Sequence, residues 1–412
     1  MRGGRILFHP VTLFFVSWSG VVGLYSLHLS KLLLFDNRVL IRAASWVVIP
    51  FVLTVWWATA FHAVAPKKKV TGREACFDFA RIEKRLHRAF WVWVACTVLE
   101  IIISGGVPII WLIQGSSKTY FDFGIPSIHG LLNSLVLAIG LVEMGLFTID
   151  GRKRHLRIPA FIVFWSIVVV TRNMMIVSLL EGGLAWGIMR GIRWRTVLKT
   201  TCVVMAVILV FGYMGDFRSG ADEFRQLAQP SDDYPTWLPS GVLWIYIYLT
   251  TCIGNLVNTM LAATPLANPL FPNTVSLLFP SVMRNALYGA EAAKALGGEL
   301  VVDSFNVSTA YVGPYQDFGY LGVVLFSIVL GLIALYTWKI PGIRGVLIYS
   351  VIGQCLVLSI FFNHLFYLPV IGQAGWIVWF LREARPMPDL DRTRNCFPPG
   401  PVELLPNGGN SV

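Results

Sequence analysis

The chain has 412 residues, of which 56% are hydrophobic and 13% are charged, and its formal net charge is +11. Its mean hydropathy of +0.66 is too high for a water-soluble enzyme, so the composition predicts an integral membrane protein. The positive charge does not indicate a nucleic-acid partner, because most Lys and Arg residues lie in short loops between apolar segments.

A helix that crosses the hydrocarbon core of a bilayer needs about 20 apolar residues. Ten segments are candidates, and they lie near residues 6–28, 43–63, 89–113, 128–147, 158–171, 173–189, 197–214, 319–337, 345–361 and 367–381. The first segment is too long for a removable signal peptide and lacks its small-residue cleavage site. The sequence therefore predicts an all-α, polytopic membrane helix bundle of about ten transmembrane helices.

Lys and Arg residues concentrate on one side of this predicted bundle. They are frequent near the N-terminus, in loops 64–88, 152–157, 190–199 and 339–344, and in the tail 382–394, which together hold 24 of the 33 basic residues. Basic loops mark the cytoplasmic face of a membrane protein. Both termini are therefore predicted to be cytoplasmic, and residues 215–318 to face outward.

The chain divides into four predicted parts. They are a seven-helix membrane segment (1–214), one large outer loop with amphipathic helices (215–318), a three-helix membrane segment (319–381) and a disordered cytoplasmic tail (382–412). Within the outer loop, residues 241–263 carry no charge. We predict that they form a helix lying in or dipping into the outer leaflet, with Asn255 and Asn258 on its polar side.

An arginine occupies the tip of a short hairpin. Segments 158–171 and 173–189 lie between two basic loops, so two crossings must fit into a short stretch of chain. At about 1.5 Å per residue the first segment spans only part of the hydrocarbon core. Arg172 is therefore predicted to lie below the outer membrane surface, where a cation is costly unless it faces a polar cavity or an anion. We expect it to face an anion-binding cavity; the alternative is that its side chain extends outward to water.

Further cations lie in the outer loop. Arg218 and Arg225 follow the seventh segment, and Arg284 lies in the middle of the loop. Because guanidinium groups bind phosphate oxygens bidentately, two or three converging arginines are predicted to hold a lipid pyrophosphate without a metal ion. For each of the three, the alternative is an ion pair with the surplus acidic residues of the same loop.

Three side chains near the predicted outer face have the chemistry of a general base toward a sugar hydroxyl. They are Glu100 near the end of the third segment, His129 at the start of the fourth, and Asp317 just before the eighth. The sequence contains neither a glycine-rich phosphate loop nor a His, Cys and carboxylate spacing typical of zinc. No cofactor and no metal site is predicted.

Five stretches resemble a known family when they are taken in order. They are FDFGIPSIHGLLNSL (121–135), Thr171-Arg172-Asn173, YMGDFRSG (213–220), IYLTTCIGNL (247–256) and FNVSTAYVGPYQDFGYLG (305–322). In these features the chain resembles the oligosaccharide repeat-unit polymerases, the Wzy-type polymerases of O-antigen, capsule and exopolysaccharide. The arginine hairpin is similar to that of the related O-antigen ligases.

The resemblance implies a GT-C-like, lipid-linked glycosyltransferase in the bacterial inner membrane, with its active site on the periplasmic side. Its substrates would be glycans on undecaprenyl pyrophosphate, and membrane lipids, a chain-length regulator and a flippase would be further partners. Arg172 and Arg218 would stabilise the departing pyrophosphate, with Arg284 and Arg225 as additional substrate ligands.

The resemblance leaves the general base open among His129, Glu100 and Asp317. Sugars would be held by the side chains of Tyr248, Asn255, Asn306 and Tyr315. The outer loop lacks the histidine pattern of the ligases, which favours a polymerase. Two alternatives stay open: an O-antigen ligase that transfers glycan to lipid A core, and a transporter or flippase, for which an internal repeat would be typical.

Overall fold

The computed structural model describes residues 6–33, 36–61, 79–191, 221–235, 237–289, 297–303 and 305–382, together with the single positions 195, 198, 199 and 202. This part of the chain is mostly helical and contains no β-strand, only an isolated bridge between Ser30 and Pro230. The α-helices are α1 (Pro10–Tyr25), α2 (Asn37–Ala60), α3 (Phe79–Ser104), α4 (Pro108–Ile113), α5 (Ile128–Asp150), α6 (Arg157–Val168), α7 (Arg172–Arg190), α8 (Ala221–Ala228), α9 (Ser240–Ala262), α10 (Pro272–Val275), α11 (Ser281–Tyr288), α12 (Val312–Trp338), α13 (Gly342–Leu358) and α14 (Leu368–Phe380).

Several of these helices are long and apolar enough to cross a membrane. Among the described residues they are Asn37–Ala60, Phe79–Ile113, Ile128–Asp150, Ser240–Ala262 and Val312–Trp338, while α1, α13 and α14 are shorter apolar helices. The described residues are thus mostly helical, as predicted, and their apolar helices are consistent with a helical membrane protein. The number of about ten crossings stays a prediction, and most of the predicted seventh segment, 197–214, lies outside the described residues.

Contacts between helix termini show which termini lie together at each of the two ends of the bundle. At the first, Glu100 near the end of α3 accepts a hydrogen bond from the backbone N–H of Ile125, just before α5 begins. At the second, Arg154, which follows α5, forms an ion pair with Glu83 near the start of α3. Neighbouring helices thus run antiparallel. We call these the Arg172 end, after the residue that begins α7 there, and the Arg154 end.

Small residues allow the helices to approach closely. A Cβ atom added to Gly145 of α5 would lie only 3.1 Å from the Leu347 side chain of α13, and one added to Gly331 of α12 would lie 3.4 Å from Val55 of α2. Between membrane helices, such close van der Waals packing replaces the hydrophobic effect as a source of stability. Stacked aromatic rings add to it, as between Phe14 of α1 and Phe51 of α2, whose centroids are 4.0 Å apart.

Helix α9 is the uncharged segment that the sequence places at the outer leaflet. Near its start, the Tyr246 hydroxyl accepts a hydrogen bond from the backbone N–H of Leu29, which follows α1. Near its end, the Met260 carbonyl accepts one from the Tyr315 hydroxyl at the start of α12. Helix α9 is therefore bonded to the chain after α1 near its start and to the first turns of α12 near its end. Asn255 and Asn258 both donate hydrogen bonds to backbone carbonyls within residues 299–307, and the Asn255 side chain is completely buried.

Helix α12 is interrupted after its first two turns. Phe318 (φ −142°, ψ 23°) and Gly319 (φ 58°, ψ −142°) have non-helical backbone angles. The angles of Gly319 are accessible in practice only to glycine, because a Cβ atom would clash with the backbone. The first turns of α12, which carry Tyr315 and Asp317, are therefore set at an angle to the long apolar part that follows.

Candidate functional site

Arg172 is held at the tip of a tight turn between α6 and α7. The backbone N–H of Thr171 donates to the Ser166 carbonyl at 2.9 Å, and Val170 adopts a φ of 56°. A β-branched residue rarely occupies this left-handed region, where the strain is about 1–3 kcal/mol. Such strain persists only when the surrounding structure enforces it, and it is concentrated at functional sites.

The surroundings of Arg172 suit an anion. Its guanidinium carbon lies 6.0 Å from the centre of the Tyr248 ring. Tyr120 lies close enough for an electrostatic interaction with the guanidinium. Burial raises the pKa of the Tyr120 phenol, Tyr248 raises it further, and Arg172 opposes both. Within the described residues, Arg172 forms no ion pair. The Thr171 Oγ1 atom beside it is buried without a hydrogen-bond partner there. Because the positive end of the α7 dipole coincides with this tip, the local field favours negative charge.

The structure brings two of the three predicted general bases into contact. The Nδ1 atom of His129 lies 3.0 Å from Glu100 Oε2, and its Nε2 atom lies 3.0 Å from the Asn133 amide nitrogen. Glu100 is 1% exposed, whereas the His129 side chain keeps 25% of its surface exposed. An amide nitrogen can only donate, so Nε2 is the acceptor and Nδ1 carries the proton toward Glu100. This is the arrangement in which a carboxylate orients an imidazole for proton transfer.

The loop before α5 fixes this pair in place. Thr119 caps the turn Tyr120–Asp122, and its backbone and side-chain hydrogen bonds lower the pKa of the Asp122 carboxyl. Further along, the Gly124 backbone N–H donates to the Ser104 hydroxyl at 2.9 Å. Gly124 has a φ of 90°, and a Cβ atom there would lie 2.6 Å from His129 Nδ1. Only glycine allows the loop to cover the histidine so closely.

Replacing Gly124 by alanine is therefore expected to displace the His129 ring and to lower stability by about 1–3 kcal/mol. The matched control is Gly115→Ala, which has a similar φ of 65° but no atom within 4 Å of the added Cβ. Thermal unfolding in detergent measures both. Equal melting temperatures for the two variants would contradict the close contact between Gly124 and His129.

Asp317, the third predicted base, anchors a loop instead of facing a cavity. Its side chain is fully buried. One carboxylate oxygen accepts hydrogen bonds from the backbone and amide nitrogens of Asn273, and the other accepts from the backbone nitrogen and hydroxyl of Thr274, at 2.6–3.1 Å. Four bonds occupy the lone-pair positions of a carboxylate. Asp317 is therefore occupied by the fold, whereas the His129 side chain is partly exposed.

Because Asp317 satisfies four donors, we expect Asp317→Ala to lower the free energy of unfolding by about 2–4 kcal/mol. Residues 264–289 should also become more sensitive to limited proteolysis, since Thr274 would lose its tether. Asp303→Ala, at an exposed acid of the same loop, is the control and should change neither property. An unchanged melting temperature for Asp317→Ala would refute the anchoring role.

The structure describes the surroundings of two of the other three predicted arginines. Arg284 on α11 lies close enough to Tyr367 for its charge to act on that phenol. The Nε atoms of Arg284 and of Arg225 on α8 are buried without a hydrogen-bond partner among the described residues, and neither arginine forms an ion pair there. Arg218 lies outside the described residues, so its predicted convergence with Arg172 stays a prediction.

The four predicted sugar ligands fall into two groups. Tyr248 is half-buried beside Arg172, and Asn306 is exposed, so both are available to a ligand. Asn255 is used by the fold: its amide donates to the Phe305 and Val307 carbonyls and accepts from the backbone of Val301. The Tyr315 hydroxyl is likewise used, by the Met260 carbonyl.

Two polar groups elsewhere were not identified as sites from the sequence. In the bundle, Gln373 of α14 donates a hydrogen bond to the buried Glu181 of α7. At the Arg154 end, ligand atoms of Glu83, Asp150 and His155 lie within 4.8 Å of one another. These are donor types of a metal site, but they are also paired with Arg154 and Arg152 in an ion-pair network. Glu83 lies on a different helix from Asp150 and His155, so no local spacing in the sequence reveals the cluster.

At the Arg172 end, Asn133 is the residue that sequence reasoning missed. It follows His129 by four positions, which places both on one face of a helix, so this signal was present in the sequence.

Comparison of the chain with protein-family models, with curated proteins and with solved structures finds no match.

Proposed function

We propose that this protein is a lipid-linked glycosyltransferase that joins undecaprenyl-pyrophosphate-linked oligosaccharide repeat units into a long surface polysaccharide. It acts in the bacterial inner membrane, with the Arg172 end facing the periplasm and both termini in the cytoplasm. The observation that carries this proposal is the environment of Arg172: an arginine without an ion pair among the described residues, at a strained helix start, beside Tyr248 and an unpartnered Thr171 hydroxyl.

Charge development explains why an arginine belongs at this position. When the acceptor sugar attacks the anomeric carbon of the donor, the bond from that carbon to the pyrophosphate oxygen breaks, and the pyrophosphate leaves with the electron pair. A preorganised guanidinium and the positive end of a helix dipole stabilise this charge most strongly in the transition state. Arg172 supplies both, and no metal ion is required for this role.

The Glu100 and His129 pair supplies the matching proton transfer. The attacking hydroxyl of the acceptor loses its proton to His129 Nε2, the ring nitrogen that does not face Glu100. Glu100 then stabilises the imidazolium and keeps the ring in place. Asn133 must release Nε2 when the acceptor binds. Tyr248 and Asn306 are the available side chains for stacking on sugars and for hydrogen bonding to them.

Reconstitution tests the reaction directly. The purified protein in liposomes, given only undecaprenyl-pyrophosphate-linked repeat units, should produce a ladder of longer lipid-linked glycans. If product forms only when lipid A core is added, the protein is a ligase. Movement of intact lipid-linked glycan across the bilayer without extension would identify a transporter or flippase. Either result would overturn the proposal.

Topology is tested separately in cells. A cysteine introduced at the exposed Asn306 should react with a membrane-impermeant maleimide applied from the periplasmic side, whereas one introduced at the exposed Arg344 should react only after lysis. The reverse pattern would place the Arg172 end in the cytoplasm, where a periplasmic polymerase cannot work. A glycan profile from cells lacking the protein should show single repeat units.

A further inference from the structure

Helix α11 is amphipathic, and its apolar face points away from the protein. Val282, Met283 and Leu287 are 78%, 51% and 54% exposed. At 3.6 residues per turn these three side chains lie on one face of the helix together with Ala286. Exposing large apolar side chains to water is unfavourable. A surface of this kind marks an interaction site.

The opposite, polar face of α11 contacts the protein. The Ser281 hydroxyl lies 2.9 Å from the Ser127 hydroxyl, and the Tyr288 hydroxyl donates to the Leu270 carbonyl at 3.3 Å. Arg284 lies on the same face, with its Nε atom buried. A helix on a water-exposed surface has the reverse arrangement, with its apolar face inward. The inverted orientation therefore indicates an apolar medium on the outside.

The exposed face of α11 is continuous with membrane-facing side chains. Ser127, which contacts α11, directly precedes α5, a helix long and apolar enough to cross a membrane. At the start of α5, Ile128 and Leu131 are 46% and 41% exposed, and Ile371 on the neighbouring α14 is 50% exposed. These side chains belong to the surface that hydrocarbon covers in a membrane helix bundle. The apolar face of α11 extends that surface beyond the start of α5.

We propose that α11 is an interfacial helix whose apolar face binds the lipid leaflet at the Arg172 end, at the boundary between headgroups and acyl chains. Val282, Met283 and Leu287 enter the acyl region, as in amphipathic helices that lie in the membrane plane. Arg284, on the face turned toward the protein, then lies at the depth of lipid phosphate groups. This inference concerns position alone and does not rest on glycosyl transfer.

Fluorescence quenching tests the position of α11. An environment-sensitive fluorescent amino acid is incorporated at position 282, 287 or 306, one at a time, so that the native cysteines are kept. Each protein is reconstituted into vesicles of zwitterionic and anionic phospholipids. Quenching by a phospholipid with a nitroxide high on its acyl chain is compared with quenching by iodide in the water. Lipid-to-iodide quenching ratios at positions 282 and 287 should exceed that at Asn306 by on the order of tenfold.

Three outcomes would overturn the proposal. The first is iodide quenching at position 282 as strong as at position 306, which would place α11 in water. The second is protection from both quenchers, which would indicate a second copy of the chain or another protein on this face. The third is a lipid-to-iodide quenching ratio at positions 282 and 287 that equals the ratio at a control label placed at Asn285, an exposed position outside the apolar face. Because no sugar transfer is measured, a failure here is distinguishable from a failure of the proposed function.

Discussion

Replacing Arg172 by alanine is expected to lower the rate of repeat-unit transfer by about 10²–10³-fold, with little effect on folding. The reason is that this guanidinium has no structural ion pair among the described residues, so its removal exposes no uncompensated partner. The loss should appear mainly in kcat, because stabilisation of a departing pyrophosphate is greatest in the transition state. Transfer is measured as the initial rate of glycan extension in liposomes.

Two further variants make the Arg172 test specific. Arg172→Lys keeps the charge but not the planar fork that binds two phosphate oxygens, so an intermediate loss of about tenfold or more is expected. Arg344→Ala removes an exposed arginine at the start of α13 and should leave the rate unchanged. Equal activity of the Arg172→Ala and Arg344→Ala proteins, at equal melting temperatures, would exclude Arg172 from the reaction.

The second large effect is expected at His129. Its replacement by alanine should lower the transfer rate by about 10²–10⁴-fold, the usual contribution of a positioned general base. Glu100→Gln should cost less, because the histidine remains while its orientation and the stability of the imidazolium are impaired. Because the two side chains act through one hydrogen bond, the double variant should be no slower than His129→Ala alone.

The matched control for this pair is His87→Ala. His87 is an exposed histidine near the start of α3, where it contacts Trp91, and its removal should not change the transfer rate. A structural role of His129 would instead lower the melting temperature and affect KM and kcat together. Full activity of His129→Ala would move proton acceptance to another group and would remove the proposed mechanism, even if Arg172 proved essential.

The sequence predicts well those features that depend on one segment at a time. Long apolar stretches predict membrane helices because each must satisfy its own backbone in lipid, and the helical bundle follows from that. The position of Arg172 at the turn of a short hairpin could likewise be expected, since charge and length are both local properties. Its depth below the outer membrane surface stays a prediction. Glu100 and His129 were each identified separately, from residue type and from position near a segment end.

What sequence alone cannot supply is the partner of each side chain. Asp317 resembles a free acid until the fold brings Asn273 and Thr274 to it, 44 and 43 positions away along the chain. Nothing in the sequence indicates that the Asn255 amide bonds to the backbone of residues 301–307. The contact between Glu100 and His129 depends on how α3 and α5 pack together, which neither segment encodes by itself.

The break in α12 separates two parts of the helix that contact different partners. The turns before Gly319 are bonded to residues 273–274 through Asp317, while the long apolar part after it packs against α2. The change of direction at Gly319 lets the first turns of α12 follow the loop that Asp317 anchors, while the helix after the break keeps its own packing. A residue with a Cβ atom at position 319 could not adopt these backbone angles without strain, so one of the two arrangements would have to shift.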